Sequence, residues 1–361
     1  MKPIWLGIVS FTACVFILPL LFSHFPDQST AMNQKIKSRR PSILHDMILP
    51  TQPATKPNKN QELDRQGGRQ FVSYSVNPDS QYLFYVPLSA LLWRRLGWTP
   101  VVTFVGSEGH ESHLQHLVMN ATRTLGNSII YVAPGFTPTY KDAQLARLFA
   151  ACIPEIAANP RASVMISDAD MFVLSNELFT RQNRSNRAHY YGFGRVGMKD
   201  ALHDAPDGRF DIQMCHLHMT VEAWYEVLRV QTPCDFSREL HLALSSTPPE
   251  WGFDQDFIKS RIIQWHKEGH DQNIPGREMD FNYRDYSALP EMDGRFRPWD
   301  EATYPPGYDF GKFKTAHAPR PDGHKVPKWT VTQRLLQHVL TPAEYEDVLS
   351  YHRDYLRLFG T

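Results

Sequence analysis

Cysteine is scarce in this chain of 361 residues, which contains only four. That number is too small for a disulfide-rich scaffold, and no Cys-x-x-Cys pair indicates a structural zinc site. Net charge is also absent, because 38 Lys and Arg balance 38 Asp and Glu. Phosphate binding depends on clustered positive charge, so a general nucleic-acid-binding protein is not expected. Hydrophobic residues make up 42% of the chain, which is enough for a sizeable core and excludes a wholly disordered chain.

Charged residues are missing from Ile4 to Phe22, a run of 19 residues. A helix of that length spans about 28 Å, close to the apolar thickness of a bilayer. The run is longer than the apolar part of a signal peptide, and it does not end in a small-residue cleavage pattern. We therefore predict a transmembrane signal anchor at residues 4–22 behind a short cytosolic tail at residues 1–3. A cleaved signal peptide is the alternative.

Aromatic residues are absent between Pro26 and Gln70, where prolines alternate with polar residues. This composition predicts a disordered stem at residues 23–69. By analogy with Golgi-resident enzymes, an anchor, a stem and a folded body predict a single-pass type II Golgi membrane protein with a luminal body. The sequons at Asn120 and Asn183 would permit N-glycosylation there. The four basic residues after the apolar run favour the opposite orientation, but long domains translocate regardless of such charges.

Strand and helix patterns alternate after the stem. Strands are predicted at 71–76, 101–105, 128–132 and 163–167, and helices at 82–96 and 139–157. The alternation predicts an α/β domain with a mainly parallel sheet, in which ligands bind beyond the carboxyl ends of the strands. No Gly-x-Gly-x-x-Gly follows the first strand, which argues against a dehydrogenase-type dinucleotide site.

The C-terminal segment, residues 331–361, predicts two helices packed on the domain. They are divided at Thr341 and Pro342, with Thr341 as the N-cap of the second helix.

Two carboxylates, Asp168 and Asp170, stand directly after the fourth predicted strand. Partly buried carboxylates this close repel each other and lose hydration unless a cation neutralises them. A hard divalent ion such as Mn²⁺ or Mg²⁺ would do so, and it would also bind a diphosphate. The alternative is an Asp that caps a turn beside a solvated Asp.

The segment VMISDADMFVLS resembles the metal site of the GT-A nucleotide-sugar glycosyltransferases. Four further segments, in the same order, resemble those of the retaining glycogenin and lipopolysaccharide galactosyltransferase family: YKDAQLARLFAACI, RFDIQMCHLHMTVEAWYEVL, WGFDQDFIKS and AHAPRPDGHKVPKW. The resemblance covers about residues 70–330 and implies one GT-A catalytic domain, Rossmann-like and specific for nucleotide-diphospho-sugars. It departs from the family where His317 lies six residues before Gly323, and where Asp211-Ile212-Gln213 replaces the family's acceptor-strand tripeptide.

The resemblance implies a metal-dependent, hexosyltransferase-like enzyme that moves a sugar from a nucleotide donor to a glycan, protein or lipid acceptor. A UDP-sugar is the expected donor. Two alternatives are a non-catalytic relative that binds a nucleotide or glycan, and a luminal protein with a structural calcium site. The donor sugar, the acceptor and the stereochemistry stay open.

Residue roles follow from the motifs and the resemblance. The expected metal ligands are Asp168, Asp170 and His317, with His324 as the alternative third ligand. The expected nucleotide-sugar contacts are Arg147, Asp168, Asp211, Gln213, Lys325 and Lys328. The catalytic candidates are Asp254, Gln255 and Asp256.

The role of each catalytic candidate depends on the stereochemistry. Gln255 would lie near the reacting carbon in retaining transfer, whereas Asp254 or Asp256 would be the general base in inverting transfer. An acid-rich first turn of a helix is the alternative interpretation of this motif. Separately, Cys215 and Cys234 are candidates for a disulfide, which would leave Cys152 packed in the core.

Overall fold

The computed structural model describes residues 69–78, 81–106, 112–136, 140–159, 162–175, 188–192, 216–246, 253–271, 281–285, 291–293 and 297–359. All of these belong to one unit, residues 57–361. The predicted tail, the anchor and the stem up to residue 68 lie outside the described residues, as does the sequon at Asn183. Among the described helices, none has both the length and the apolar character needed to span a bilayer.

A seven-stranded sheet organises the described part of the chain. Its strands are β1 (Gln70–Val76), β2 (Thr99–Val105), β3 (Ile129–Ala133), β4 (Ser163–Ile166), β6 (Ala188–Gly192), β7 (Leu217–Thr220) and β8 (Phe281–Asp285). The strand order is β3-β2-β1-β4-β7-β6-β8. Neighbours from β3 to β4 are parallel, whereas β7 is antiparallel to both β4 and β6. The predicted α/β architecture with a mainly parallel sheet is confirmed.

Helices cover both faces of this sheet. They are α1 (Val86–Arg95), α2 (His113–Gly126), α3 (Lys141–Ala146), α4 (Pro154–Ala157), α5 (Val221–Leu228), α6 (Phe236–Ser246), α7 (Phe253–Asp271), α8 (Lys328–Val339) and α9 (Pro342–Phe359). A 3-10 turn at Leu83–Tyr85 precedes α1, so the helix predicted at 82–96 is confirmed with a tighter first turn. The sequence prediction missed α2, whose start is a capping box between Ser112 and Gln115.

The single helix predicted at 139–157 is wrong. The chain forms α3, then a 3-10 helix at Arg147–Cys152, then α4. Ser73 on β1 donates a hydrogen bond to the carbonyl oxygen of Arg147, and Pro154 has no N–H to continue a helix. Tertiary contacts with β1 therefore override the helical spacing of the apolar residues.

Each face of the sheet has its own core. Val72 and Tyr74 of β1 pack on the side of α1 and the C-terminal helices. Phe71 of the same strand packs on the other side, with the 3-10 helix, α5 and α7. Neighbouring residues of β1 are therefore buried on opposite faces, as expected for a central parallel strand.

A second sheet has three short strands: β5 (Met171–Val173), β9 (Glu291–Asp293) and β10 (Thr315–His317). Strand β10 lies between the other two and is antiparallel to β5. It brings a late part of the chain beside the residues that follow β4.

The C-terminal helices pack on the core through residues such as Leu335 of α8 and Val348 of α9. Their predicted division is confirmed, because Thr341 and Glu344 form a reciprocal capping box at the start of α9.

A disulfide joins Cys152 to Cys234. The suggested pairing of Cys215 with Cys234 is therefore wrong, and Cys152 is not a free core residue. The Cα atoms of the bonded pair lie 5.1 Å apart, because the 3-10 helix ends beside the segment between α5 and α6. Spacing along the chain carries no signal for this contact, since the two cysteines are 82 positions apart.

Candidate functional site

The two carboxylates lie in a tight turn between β4 and β5. The N–H of Ser167 donates to the carbonyl of Ser73, and the N–H of Met171 donates to the carbonyl of Asp168. The Ser89 hydroxyl of α1 donates to the carbonyl of Ala169 at 2.6 Å. These bonds fix the turn at the carboxyl end of a central strand, which is where ligands bind in sheets of this kind.

His317, from the C-terminal part of the chain, lies beside the same turn. Strand β10 pairs with β5 so that His317 is opposite Met171, and the N–H of Ala318 donates to the carbonyl of Asp170. The Nε2 atom of His317 lies 3.2 Å from Oδ2 of Asp170. Asp168, Asp170 and His317 each offer a ligand atom, and these atoms all lie within 4.8 Å of one another. The structure thus brings the three predicted metal ligands together.

The chemistry of this group fits a divalent cation. Asp170 is only 1% exposed, and neither of its carboxylate oxygens accepts a hydrogen bond from any residue that the structure describes. A buried carboxylate without donors is costly unless a cation compensates it. Two carboxylates and an imidazole suit Mn²⁺ better than Ca²⁺, which prefers six to eight oxygen ligands.

Arg147 connects Asp168 to the acidic motif on α7. Its guanidinium donates to Asp168 and, at 2.7 Å, to Oδ2 of Asp254. Burial favours a higher pKa for the Asp168 carboxyl, but the charges of Arg147 and His317 outweigh this effect and hold that pKa below its ordinary value. Burial likewise opposes the charge on Arg147, whereas the two carboxylates raise the pKa of its guanidinium. Asp168 and Arg147 are therefore both charged at neutral pH.

Arg320 is a site residue that the sequence prediction missed. Its Nε atom lies 2.8 Å from Oδ2 of Asp170, and its guanidinium carbon lies 4.6 Å from the centre of the Tyr82 ring. It also donates to the Tyr82 hydroxyl. Burial lowers the pKa of Arg320 from its ordinary value, which still leaves the group charged. The available signal was its position three residues after the proposed histidine ligand.

His216 lies at the start of β7 near this cluster. It is buried, and its backbone has a positive φ of 73°, which is uncommon for a residue other than glycine. Burial, opposed by the charge of Asp168, lowers the pKa of this imidazole to about 4. His216 is therefore neutral at physiological pH.

The remaining candidates divide into three groups. Asp254 is buried and Gln255 half-buried in the first turn of α7, where Asp256 is exposed, so the motif does form the first turn of a helix. Of the three residues, Asp254 is the one that contacts Arg147. Lys325 is exposed and lies 3.1 Å from Asp322, while Lys328 donates to the carbonyl of Pro321. Asp211 and Gln213 lie outside the described residues.

His324, the alternative third ligand, does not join the two aspartates. It is buried beside Phe84, Tyr355 and Phe359, and its carbonyl oxygen lies 2.9 Å from Nε2 of His352. Its place is in the aromatic packing that holds the segment after β10 against α9.

No protein-family model matches the chain, and no curated protein matches it in sequence. Solved structures that resemble it are glycosyltransferases. They include the galactosyltransferase LgtC in complex with donor and acceptor sugar analogs, which is 12% identical with a TM-score of 0.38 over 77% of this chain and 99% of that chain. The mannosyltransferase PcManGT from Pyrobaculum calidifontis, in complex with GDP-Man and Mn²⁺, is 12% identical with a TM-score of 0.33 over 81% and 76%.

A third such structure is glucosyl-3-phosphoglycerate synthase from Mycobacterium tuberculosis, in complex with Mn²⁺, UDP-glucose and phosphoglyceric acid. It is 11% identical, with a TM-score of 0.31 over 79% of this chain and 85% of that chain.

Proposed function

We propose that this protein is a metal-dependent glycosyltransferase that moves a sugar from a nucleotide donor, with a UDP-sugar as the expected donor, to a glycan, protein or lipid acceptor. The observation that carries the proposal is the group of Asp168, Asp170 and His317, whose ligand atoms lie within 4.8 Å of one another after a central strand. The proposal rests on this geometry rather than on the similarity to solved structures.

Asp168, Asp170 and His317 would hold Mn²⁺ or Mg²⁺. When bound there, such an ion neutralises the diphosphate and supports its departure as a Lewis acid. The chain's own residues then have separate tasks. Arg147 fixes the Asp168 carboxylate, and Asp254 holds Arg147 from the other side. Asp254 is therefore proposed as a positioning residue.

Gln255 follows Asp254 on the first turn of α7 and is half-buried. We propose that its amide faces the transferred sugar, where an oxygen dipole would stabilise positive charge at the reacting carbon. Asp256 is exposed and is the alternative general base if transfer inverts the configuration.

A luminal Golgi location is proposed together with the type II anchor at residues 4–22. The Cys152–Cys234 disulfide supports an oxidising compartment, because such bonds are rare where thiols are kept reduced. The sequon Asn120 is exposed on α2 and supports the same location.

The test is thermal melting of the purified full-length chain with UDP, GDP or CMP, each with Mn²⁺ or EDTA. A ligand that binds only the folded state raises the melting temperature in proportion to RT ln(1 + [L]/Kd). We expect one nucleotide to raise it only with Mn²⁺, and we expect Asp170→Asn to abolish that shift. The exposed Asp347→Asn on α9 is the matched control and should respond like the wild type.

Two outcomes would contradict the proposal. A shift with Mn²⁺ or Ca²⁺ alone, indifferent to all nucleotides, would indicate a structural ion site. A nucleotide shift that persists in EDTA and in Asp170→Asn would indicate nucleotide binding that does not use this metal group.

A further inference from the structure

We propose that Arg320 is a built-in counter-ion of Asp170, which gives way when a divalent metal binds and then contacts the donor diphosphate. The metal and the diphosphate would accordingly bind as a coupled pair, each strengthening the other. This inference rests on the proposed function, because it assigns a role to Arg320 within that donor site.

Arg320 and a metal bound by His317 would compete for the same carboxylate oxygen of Asp170. Oδ2 of Asp170 lies 2.8 Å from Nε of Arg320 and 3.2 Å from Nε2 of His317. Because Nε2 of His317 is near this oxygen, a metal held jointly by Asp170 and His317 would lie close to it. The guanidinium would then be a few ångströms from a doubly charged cation, where like charges at low effective dielectric repel strongly. Arg320 therefore weakens the binding of metal alone.

The contact between Arg320 and Asp170 is close but poorly directed. Neither oxygen of Asp170 accepts a hydrogen bond of good geometry within the described part of the chain, although the nitrogen is near. The side chain of Arg320 is 22% exposed, so it has a route to solvent. Its side chain can therefore leave Asp170 without breaking a directed hydrogen bond to that carboxylate.

The backbone around Arg320 is fixed, which confines the movement to the side chain. The carbonyl of Pro319 accepts a hydrogen bond from the buried Tyr85 hydroxyl, and the carbonyl of Pro321 accepts one from Lys328 at 2.6 Å. Tyr82 supports the guanidinium through its ring and its hydroxyl. A guanidinium on a fixed backbone beside a metal site is well suited to a diphosphate, because its planar fork matches phosphate oxygens.

The other cations that the structure describes around the site are already engaged or directed elsewhere. Arg147 is held between Asp168 and Asp254. Lys325 is exposed beside Asp322, and Lys328 bonds to a backbone carbonyl. Phosphate binding by Lys325 and Lys328 stays a prediction, and we propose Arg320 as a further contact because it lies next to Asp170.

The experiment separates the two halves of the proposal on the full-length protein. Free Mn²⁺ is measured by electron paramagnetic resonance during titration of wild type, Arg320→Gln and Arg357→Gln. UDP and inorganic pyrophosphate are then titrated by calorimetry at saturating Mn²⁺. Arg357 is the matched control, because it also lies 2.9 Å from an aspartate, Asp354, but is exposed on α9.

We expect the Kd of Arg320→Gln for Mn²⁺ alone to be about 10-fold lower than that of the wild type. The same variant should bind UDP and pyrophosphate about 10–100-fold more weakly, the loss expected for a desolvated charge-assisted contact. Because coupling is reciprocal, UDP should also strengthen Mn²⁺ binding less in the variant than in the wild type. Arg357→Gln should match the wild type in every measurement.

Unchanged Mn²⁺ affinity in Arg320→Gln would contradict the claim that Arg320 competes with the metal for Asp170. Unchanged affinity for UDP and pyrophosphate would contradict the claim that Arg320 contacts the diphosphate. Arg320→Lys, which keeps the charge, is the control for misfolding. It should melt near the wild-type temperature and retain part of the effect of Arg320 on Mn²⁺ binding and on diphosphate binding. If the wild type binds Mn²⁺ and pyrophosphate but none of the nucleotides, the proposed function is wrong. The metal and pyrophosphate titrations would still test the proposed role of Arg320.

Discussion

The Tyr85 hydroxyl occupies the space that a Cβ atom on Gly323 would need. Tyr85 is fully buried, and its hydroxyl also donates to the carbonyl of Pro319. One side chain of the early 3-10 turn thus fixes two points of the late segment that carries Arg320.

Gly323→Ala is expected to displace this segment, because the buried Tyr85 ring has no room to move. We expect a destabilisation of about 1–3 kcal/mol. We also expect Mn²⁺ affinity to fall, because moving the ligand His317 costs more affinity than moving the competing Arg320 gains. Metal titration and thermal melting measure the two effects. Val326→Ala changes an exposed residue of the same segment and should leave both unchanged. Unaltered metal binding in Gly323→Ala would show that the segment adapts without moving His317.

Arg147→Met is expected to destabilise the protein by roughly 3–5 kcal/mol at pH 7, because it leaves the buried Asp254 and the half-buried Asp168 without their cation. The exposed Arg123→Met is the control. In the wild type, the pKa of Asp168 lies below the ordinary value for an aspartate. The ionised Asp168 therefore contributes to folding stability above the ordinary pKa, and this contribution is lost as the pH falls through the lowered pKa.

In the Arg147→Met variant the opposite shift is expected, since unpaired buried carboxylates have raised pKa values. The gap in melting temperature between variant and wild type should therefore narrow as the pH falls from 7 towards 5. A gap that is independent of pH would mean that the loss comes from packing rather than from charge.

Peptide mapping under non-reducing conditions is expected to link Cys152 to Cys234. Loss of this cross-link in Cys152→Ala should lower stability by roughly 4 kcal/mol, as chain entropy predicts for a loop of this length. Thermal melting with and without reductant measures the effect. Reductant should lower the melting temperature of the wild type and leave that of Cys152→Ala unchanged. A peptide that links Cys215 to Cys234 instead would contradict the structure.

Glu344 caps α9 and pairs with two arginines of α1. Burial opposes its charge, but hydrogen bonds from Thr341 and the charges of Arg95 and Arg94 hold the pKa of its carboxyl below the ordinary 4.5. A lowered folded pKa contributes stability above the unfolded value and loses it as pH falls through the folded one. Glu344→Gln should therefore cost about 1 kcal/mol at pH 7 and progressively less below pH 4.5.

Melting curves of Glu344→Gln at pH 7 and pH 3.5 test this prediction, with the exposed Glu346→Gln as the control on the same helix. An equal loss at both pH values would mean that the charge of Glu344 is not what stabilises the helix junction.

Local patterns predicted much of the fold and part of the site. The strands β1 to β4 are dense in β-branched and aromatic residues, so each could be located without knowledge of its neighbours. Asp168 and Asp170 could be identified because an acidic pair directly after a buried strand is a local signal. His317 was selected by resemblance, and the structure places it with them.

The features that were missed depend on contacts between distant parts of the chain. Arg320 matters because β10 pairs with β5, and Cys152 pairs with Cys234 because the 3-10 helix ends beside the segment after α5. Neither relation appears in the spacing of residues along the chain. The break in the helix predicted at 139–157 has the same origin, since the Ser73 hydroxyl on β1 bonds to the carbonyl of Arg147 within that segment.

The pairing of β10 with β5 also sets an order of events during protein synthesis. Asp170 is made before its neighbours His317 and Arg320, which lie close to the C-terminal end of the sequence. At translation rates of ~5–20 residues per second, the intervening stretch takes roughly 7–30 s to appear. Asp168 already has Arg147 during this interval, whereas Asp170 waits for the C-terminal segment. A chain that stops before β10 therefore keeps both acidic residues but lacks the half of the site that holds Asp170.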